Sequence, residues 1–302
     1  MKMKKSLTKI GMAVLCGGAT LAFASQHGAE EQSTQNPANP INQAIGLSIT
    51  RALDATERRE AVHAAEGESE GFRYPAVFVE YGYSNMQDNR RNGFDTIRHT
   101  TTLGMDFMTF GDFFVGGMVS YGEYDGENDF NVNSAGDTWA FTLYGSKAVG
   151  KNLYAGTSVS YSHDDAKGGQ DTDTYSIAPY LSYLMYVGDV KISVTPTYAL
   201  SFSENDPTDD KSDRGEFLLV TRASMATSEA ITLYAGATLH QVLHSHLMDG
   251  EDGQDHTWIG TSVGMKWMIT EMVSLDASVG YDAFNENYRN NMNARTGVTV
   301  QF

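Results

Sequence analysis

Val190-Lys191-Ile192-Ser193-Val194-Thr195-Pro196-Thr197-Tyr198-Ala199-Leu200-Ser201-Phe202 is the stretch that decides the fold. The even positions are apolar or aromatic, and the odd positions are small or polar. Side chains alternate across a strand, so this segment presents one greasy face and one wet face. Val273–Asp282 repeats the pattern, with Val273, Leu275, Ala277, Val279 and Tyr281 against Ser274, Asp276, Ser278, Gly280 and Asp282. Met292–Phe302 repeats it again. The alternation outlasts the usual globular strand of about five or six residues. It matches a tilted strand that crosses a bilayer.

Twelve such segments are predicted, near 73–84, 96–108, 113–122, 138–148, 153–163, 174–187, 190–203, 216–227, 231–243, 257–268, 273–284 and 291–302. Five short connections alternate with six long polar ones, at 85–95, 123–137, 164–173, 204–215, 244–256 and 285–290. Tight turns on one rim and larger loops on the other are the mark of an outer-membrane barrel. The predicted fold is therefore all-β, a twelve-stranded antiparallel transmembrane barrel. Two aromatic belts agree with it. Tyr83, Tyr121, Tyr161 and Tyr281 fall toward the long-loop ends, and Phe107, Phe113, Trp267 and Phe302 toward the short-turn ends. Such rings mark the two membrane interfaces.

The N-terminal part reads differently. Lysines precede an apolar run, Ile10–Ala24, that ends Ala22-Phe23-Ala24, the three parts of a secretory signal peptide. Residues 1–24 are expected to be removed on the way to the cell outer membrane. Leu15 before Cys16, where a small residue is wanted, argues against lipidation. Residues 25–71 form a polar linker and then a predicted helix over 41–66, rich in alanine and free of proline. Its apolar stripe, Ile45, Ile49, Ala52 and Leu53, thins at Thr56. Removal of residues 1–24 leaves 17 basic and 38 acidic residues, a net of −21 with no cysteine. That excludes a disulfide scaffold and makes nucleic acid an unfavourable partner.

The charge is unevenly placed. The long loops carry 21 acids against six bases, whereas the strand segments carry five acids and seven bases. Most of the latter sit in the inward phase: Glu80, Arg98, Asp106, Lys191, Glu216, Arg222, Lys266, Asp276, Asp282 and Arg295. Charges facing a lumen can pair across it, while one facing lipid near the midplane costs about 2–4 kcal/mol. Inward-phase glycines, among them Gly104, Gly116, Gly156 and Gly264, either keep the bore open or permit curvature.

With these features in place, residues 72–302 resemble the β-domain of autotransporters. The matching stretches are Leu143-Tyr144-Gly145-Ser146, Gly150-Lys151-Asn152 and Leu153–Tyr161, together with the terminal strand Arg295-Thr296-Gly297-Val298-Thr299-Val300-Gln301-Phe302. The resemblance implies that Arg295, Gly297, Val300 and the C-terminal aromatic Phe302 form an assembly signal. Its reader would be the barrel-assembly machinery, with outer-membrane lipid as the surrounding partner. It also implies that the helix before the first strand lies in the lumen. The sequence departs from the family in one respect: the stretch before the barrel is too short and polar for a folded passenger.

Chemistry finds little footing. In Ser162-His163-Asp164-Asp165, neighbouring side chains point to opposite faces, so Ser162 and His163 are not expected to cooperate. No catalytic residue and no cofactor is assigned, and the protein is not read as an enzyme. His244, His246 and His256 share a loop with Asp249, Glu251, Asp252 and Asp255, a set that departs from the EF-hand pattern, so no metal is assigned either. Two functions follow: a translocator-like or structural outer-membrane barrel, or a small porin-like channel with an acidic vestibule.

Overall fold

A computed structural model describes residues 45–52, 54, 73–88, 94–108, 113–128, 133–167, 171–206, 210–246, 257–284 and 289–302. The expected signal peptide, the linker and residues 41–44, 53 and 55–66 of the expected helix lie outside the described residues, as do 247–256 of the histidine-acidic loop. Residues 45–52 and 54 are helical and are named α1.

Twelve strands follow. They are β1 Arg73–Asp88, β2 Phe94–Met108, β3 Phe113–Asn128, β4 Asn133–Gly150, β5 Leu153–Ala166 and β6 Asp171–Val187. The second half comprises β7 Val190–Asp206, β8 Asp210–Ala226, β9 Ile231–His246, β10 Thr257–Met268, β11 Val273–Phe284 and β12 Arg289–Gln301. Each pairs antiparallel with its neighbours in sequence, and β1 closes on β12, so the sheet is a closed barrel without an edge. Closure runs from Ala76↔Gln301 to Asp88↔Arg289 and is extended by Phe302 N donating to Pro75 O at 3.0 Å. The terminal residues thus lie at the seam: Arg295 opposite Gly82, Gly297 opposite Glu80, Val300 opposite Val77.

Strand number, order and short turns agree with the sequence reading. Gly188 supplies the left-handed conformation (φ +62°) for the two-residue turn between β6 and β7, and Asn152 (φ +60°) does so between β4 and β5. The long-loop rim differs. There the ladder runs on past the predicted ends, so β3 continues to Asn128 and β8 starts at Asp210, leaving only 207–209 between β7 and β8. The sequence reading stopped each strand where outward apolar residues stop. Backbone pairing does not need lipid, however, and it carries Glu123, Asp125, Glu127, Glu204 and Asp206 outward on strand extensions rather than loops.

Burial alternates with the pleat, as β6 shows from Thr174 to Leu184. The outward face keeps large apolar residues exposed around the whole ring, including Leu103, Leu143, Leu181 and Val263. A soluble protein rarely exposes so continuous an apolar surface; acyl chains are its natural solvent. Near the long-loop rim the outward aromatics contact one another, with Tyr121 4.7 Å from Trp139 and Tyr161 5.1 Å from Tyr175, centroid to centroid.

The inward glycines have a use that neither sequence alternative named. Gly104, Gly116, Gly136, Gly156 and Gly264 each lie directly opposite an inward aromatic: Phe78, Tyr144, Tyr124, Tyr180 and Tyr234. The ring lies over its glycine so closely that a Cβ there would clash with it. Flattened against the wall, these rings line the bore without filling it.

Candidate functional site

The site is the bore and what occupies it. Every described residue of α1 is buried, from Ile45 to Asp54. Ten residues at 1.5 Å rise span about 15 Å, and no sequence stripe could cover such a helix on one side alone. The barrel answers with two kinds of surface. Ile45, Leu47, Ile49 and Ala52 pack into an apolar collar that includes Phe78, Phe114, Met118, Leu184, Leu218 and Val220, all on inward faces. The inward-phase charges and glycines do not announce this collar, which is built from the apolar residues scattered between them. The helix hydroxyls are satisfied within α1: Ser48 Oγ donates to Ile45 O at 2.8 Å, and Thr50 Oγ1 to Gly46 O at 2.9 Å.

Two charges of α1 fix it to the wall. Arg51 Nε donates to Asp106 Oδ2 at 2.8 Å, its Nη2 lies 2.7 Å from the same oxygen, and its Nη1 donates to Thr299 Oγ1 at 3.0 Å. The guanidinium also sits 4.0 Å from the centre of the Phe78 ring, a cation–π contact strengthened by exclusion of water. Asp54 accepts from Lys266 Nζ at 3.1 Å and from Arg222 Nη1 at 3.4 Å. Asp106 is on β2 and Arg222 on β8, six strands apart in a ring of twelve, hence on diametrically opposed walls. Each wall offers α1 the charge opposite to the one it receives.

The other inward charges pair along the wall, within a strand or between strands no more than three apart, rather than across the lumen as the sequence suggested. Arg295 Nη1 donates to Glu80 Oε1 at 3.1 Å and Nη2 lies 3.6 Å from Asp276, which also accepts from Tyr234 Oη at 2.8 Å. In the long-loop half, Arg98 donates to Thr138 at 3.1 Å and lies 3.9 Å from Asp164. Glu216 accepts from His240 Nδ1 at 2.6 Å and from Arg214 at 3.2 Å, while the His240 and Trp258 rings stack at 4.5 Å. Asp282 is buried and accepts from Asn291 and Asn293, and Lys191 is partly buried on the inward face of β7. Among the described residues, α1 is the element that joins charges on opposed walls.

Sequence reading missed Arg51, Asp54, Asp164, Arg214 and His240 as members of this lining. Asp164 and Arg214 had been assigned to loops, and the period-two pattern, extended by two more residues, was the signal that would have included them. Ser162 and Asp164 point inward and are buried, whereas His163 faces outward and pairs with Asp173 at 2.9 Å. Serine and histidine are thus separated by the sheet itself. His244 lies 3.4 Å from Asp213.

No protein-family model matches the chain, and no curated protein matches it. Solved structures do. The translocator domain of the autotransporter NalP from Neisseria meningitidis is 14% identical, with a TM-score of 0.59, covering 84% of this chain and 98% of that one. The β domain of the Bordetella autotransporter BrkA is 13% identical, with a TM-score of 0.62, covering 76% and 100%. The barrel has the fold of an autotransporter translocator domain. An outer membrane channel from Pseudomonas putida F1 is also similar, at 13% identity and a TM-score of 0.61, covering 78% and 97%. The translocator fold is therefore shared with a channel, and the choice between the two rests on what the bore contains.

Proposed function

We propose that this chain is an outer-membrane barrel of the autotransporter type, inserted through its C-terminal strand and closed at rest by α1. A single observation carries the reading: Arg51 and Asp54, one turn of helix apart, are clasped to opposed walls inside an apolar collar. Buried ion pairs contribute little net stability, but they fix register and orientation, and breaking one is costly. The arrangement suits a plug that must sit in one position, and it suits a translocator whose bore holds the segment leading into β1.

Planar-bilayer recording of the full chain against a variant lacking 41–66 tests this. The full chain is expected to be quiet and the deletion variant to conduct steadily. Equal conductance would transfer the reading to the alternative, a porin-like channel. In the open variant the acidic rim is expected to favour cations, and less so at high salt. Catalysis has no support from the separated Ser162 and His163.

A further inference from the structure

Asp54 is held by two basic side chains of the wall, one on each of its oxygens. Lys266 Nζ on β10 donates to Oδ2 at 3.1 Å, and Arg222 Nη1 on β8 donates to Oδ1 at 3.4 Å. Part of this holder is built without α1. A Cβ at Gly264 would clash with the Tyr234 ring, so the bare glycine lets that ring lie flat against β10. Tyr234 Oη donates to Asp276 Oδ1 at 2.8 Å, which fixes the ring. The Arg222 guanidinium rests 4.1 Å from the ring centre, a cation–π contact. Arg222 is thus positioned by β9, the strand between the two that carry the cations.

The wall's own rival for Lys266 is Asp276, its opposite number on β11. That carboxylate is already engaged, accepting from Tyr234 and lying 3.6 Å from Arg295, which also donates to Glu80. Asp54 is the acid that Lys266 and Arg222 share. Taking one partner from a secluded ion pair is costly because the other charge is left uncompensated, and an anion from solution meets the same need. One charged donor for each oxygen suits the planar, two-oxygen carboxylate. The place is open to water: the side chains of Lys266 and Asp54 are 17% and 12% exposed.

We propose that Lys266 and Arg222 form a binding site for a small carboxylate in the short-turn half of the bore, and that Asp54 is its tethered occupant. Tethering gives Asp54 a high effective concentration. A free carboxylate therefore binds where that side chain is absent and competes poorly where it is present. The site depends on where Asp54 lies, not on whether α1 stops ions, so binding and conductance fail separately.

Formate has the size of the carboxylate that Asp54→Ala removes and is the probe; formamide, equally large and neutral, is its control. In detergent, Asp54→Ala is expected to unfold several degrees below the wild-type chain in sodium chloride. In sodium formate of equal ionic strength it is expected to recover about 3 °C, the gain for a ligand near about ten times its dissociation constant. Formamide is expected to restore nothing, and the wild-type chain to show no formate-specific rise. Asp54→Ala combined with Lys266→Gln removes the cation left behind and is expected to erase the response. A single variant indifferent to formate, an equal rise in the wild-type chain, or a rise that survives in the double variant overturns the proposal. Should either variant not fold in chloride, its folding yield replaces the midpoint. Recovery in formate is then expected for Asp54→Ala and none for the double variant; no recovery in the first, or recovery in the second, overturns the site.

Discussion

Reversing the charge at Asp106 unseats the plug: Asp106→Lys is expected to conduct in planar bilayers where the wild-type chain is quiet. Asp106 is fully buried, accepts from Nε of Arg51 at 2.8 Å and has its Nη2 at 2.7 Å. A lysine there places two cations in contact inside a collar of Phe78, Phe114 and Met118. Breaking one buried pair typically costs about 3–5 kcal/mol, and like charges add to it. The wall can move little, being a closed ladder, so the helix is the part that yields. The second latch, Asp54 with Lys266 and Arg222, remains and is expected to make opening intermittent rather than permanent. Combining Asp106→Lys with Arg51→Asp restores opposite charges and is expected to return the bore to its quiet state. That rescue separates an electrostatic latch from general damage. Persistent closure of Asp106→Lys in a correctly folded barrel would mean that the apolar collar and the Asp54 latch hold α1 without the Arg51–Asp106 pair.

The second large effect is expected on the opposite face of the wall. Val263 stands midway along β10, 58% exposed on the outward face between Ala235 and Val279. Val263→Arg puts a guanidinium among acyl chains, at a cost of about 2–4 kcal/mol near the midplane. Val263→Leu, which adds one methylene and stays apolar, is expected to stay within about 0.5 kcal/mol of wild type. Urea unfolding in lipid vesicles measures the contrast directly. Equal stability of the two variants would mean that water reaches this face.

Much of this architecture is legible in the sequence, for a definite reason. Lipid outside and a lined bore inside impose strict alternation, so Val190–Phe202 and Val273–Asp282 show their faces without tertiary help. Less is legible where that constraint ends. Above the interface, residues such as Asp125 and Asp206 are paired by backbone alone, and no side-chain pattern reports it. The plug is the hardest part. α1 is buried on all sides, so amphipathicity, the usual sign of a packed helix, is diluted by polar residues meeting their own partners. Arg51 and Asp54 look like ordinary surface charges until Asp106 and Arg222 appear on opposed walls. Of the glycine–aromatic pairs the inward-phase glycines, such as Gly116, are legible, but their partners are not, because the register depends on where each ladder begins.

In a membrane-spanning barrel, every second side chain of the wall faces hydrocarbon. Cys16 is the chain's single cysteine, so nitroxide labels can be placed one at a time on new cysteines along β7 without a competing thiol in the barrel. In vesicles, collisions with lipid-soluble oxygen are expected to peak at Ile192, Val194, Tyr198 and Leu200 and to fall at Ser193, Thr195, Thr197 and Ala199. A flat profile, or water-soluble nickel reagent reaching Val194 and Tyr198 as freely as oxygen does, would contradict a membrane-spanning wall.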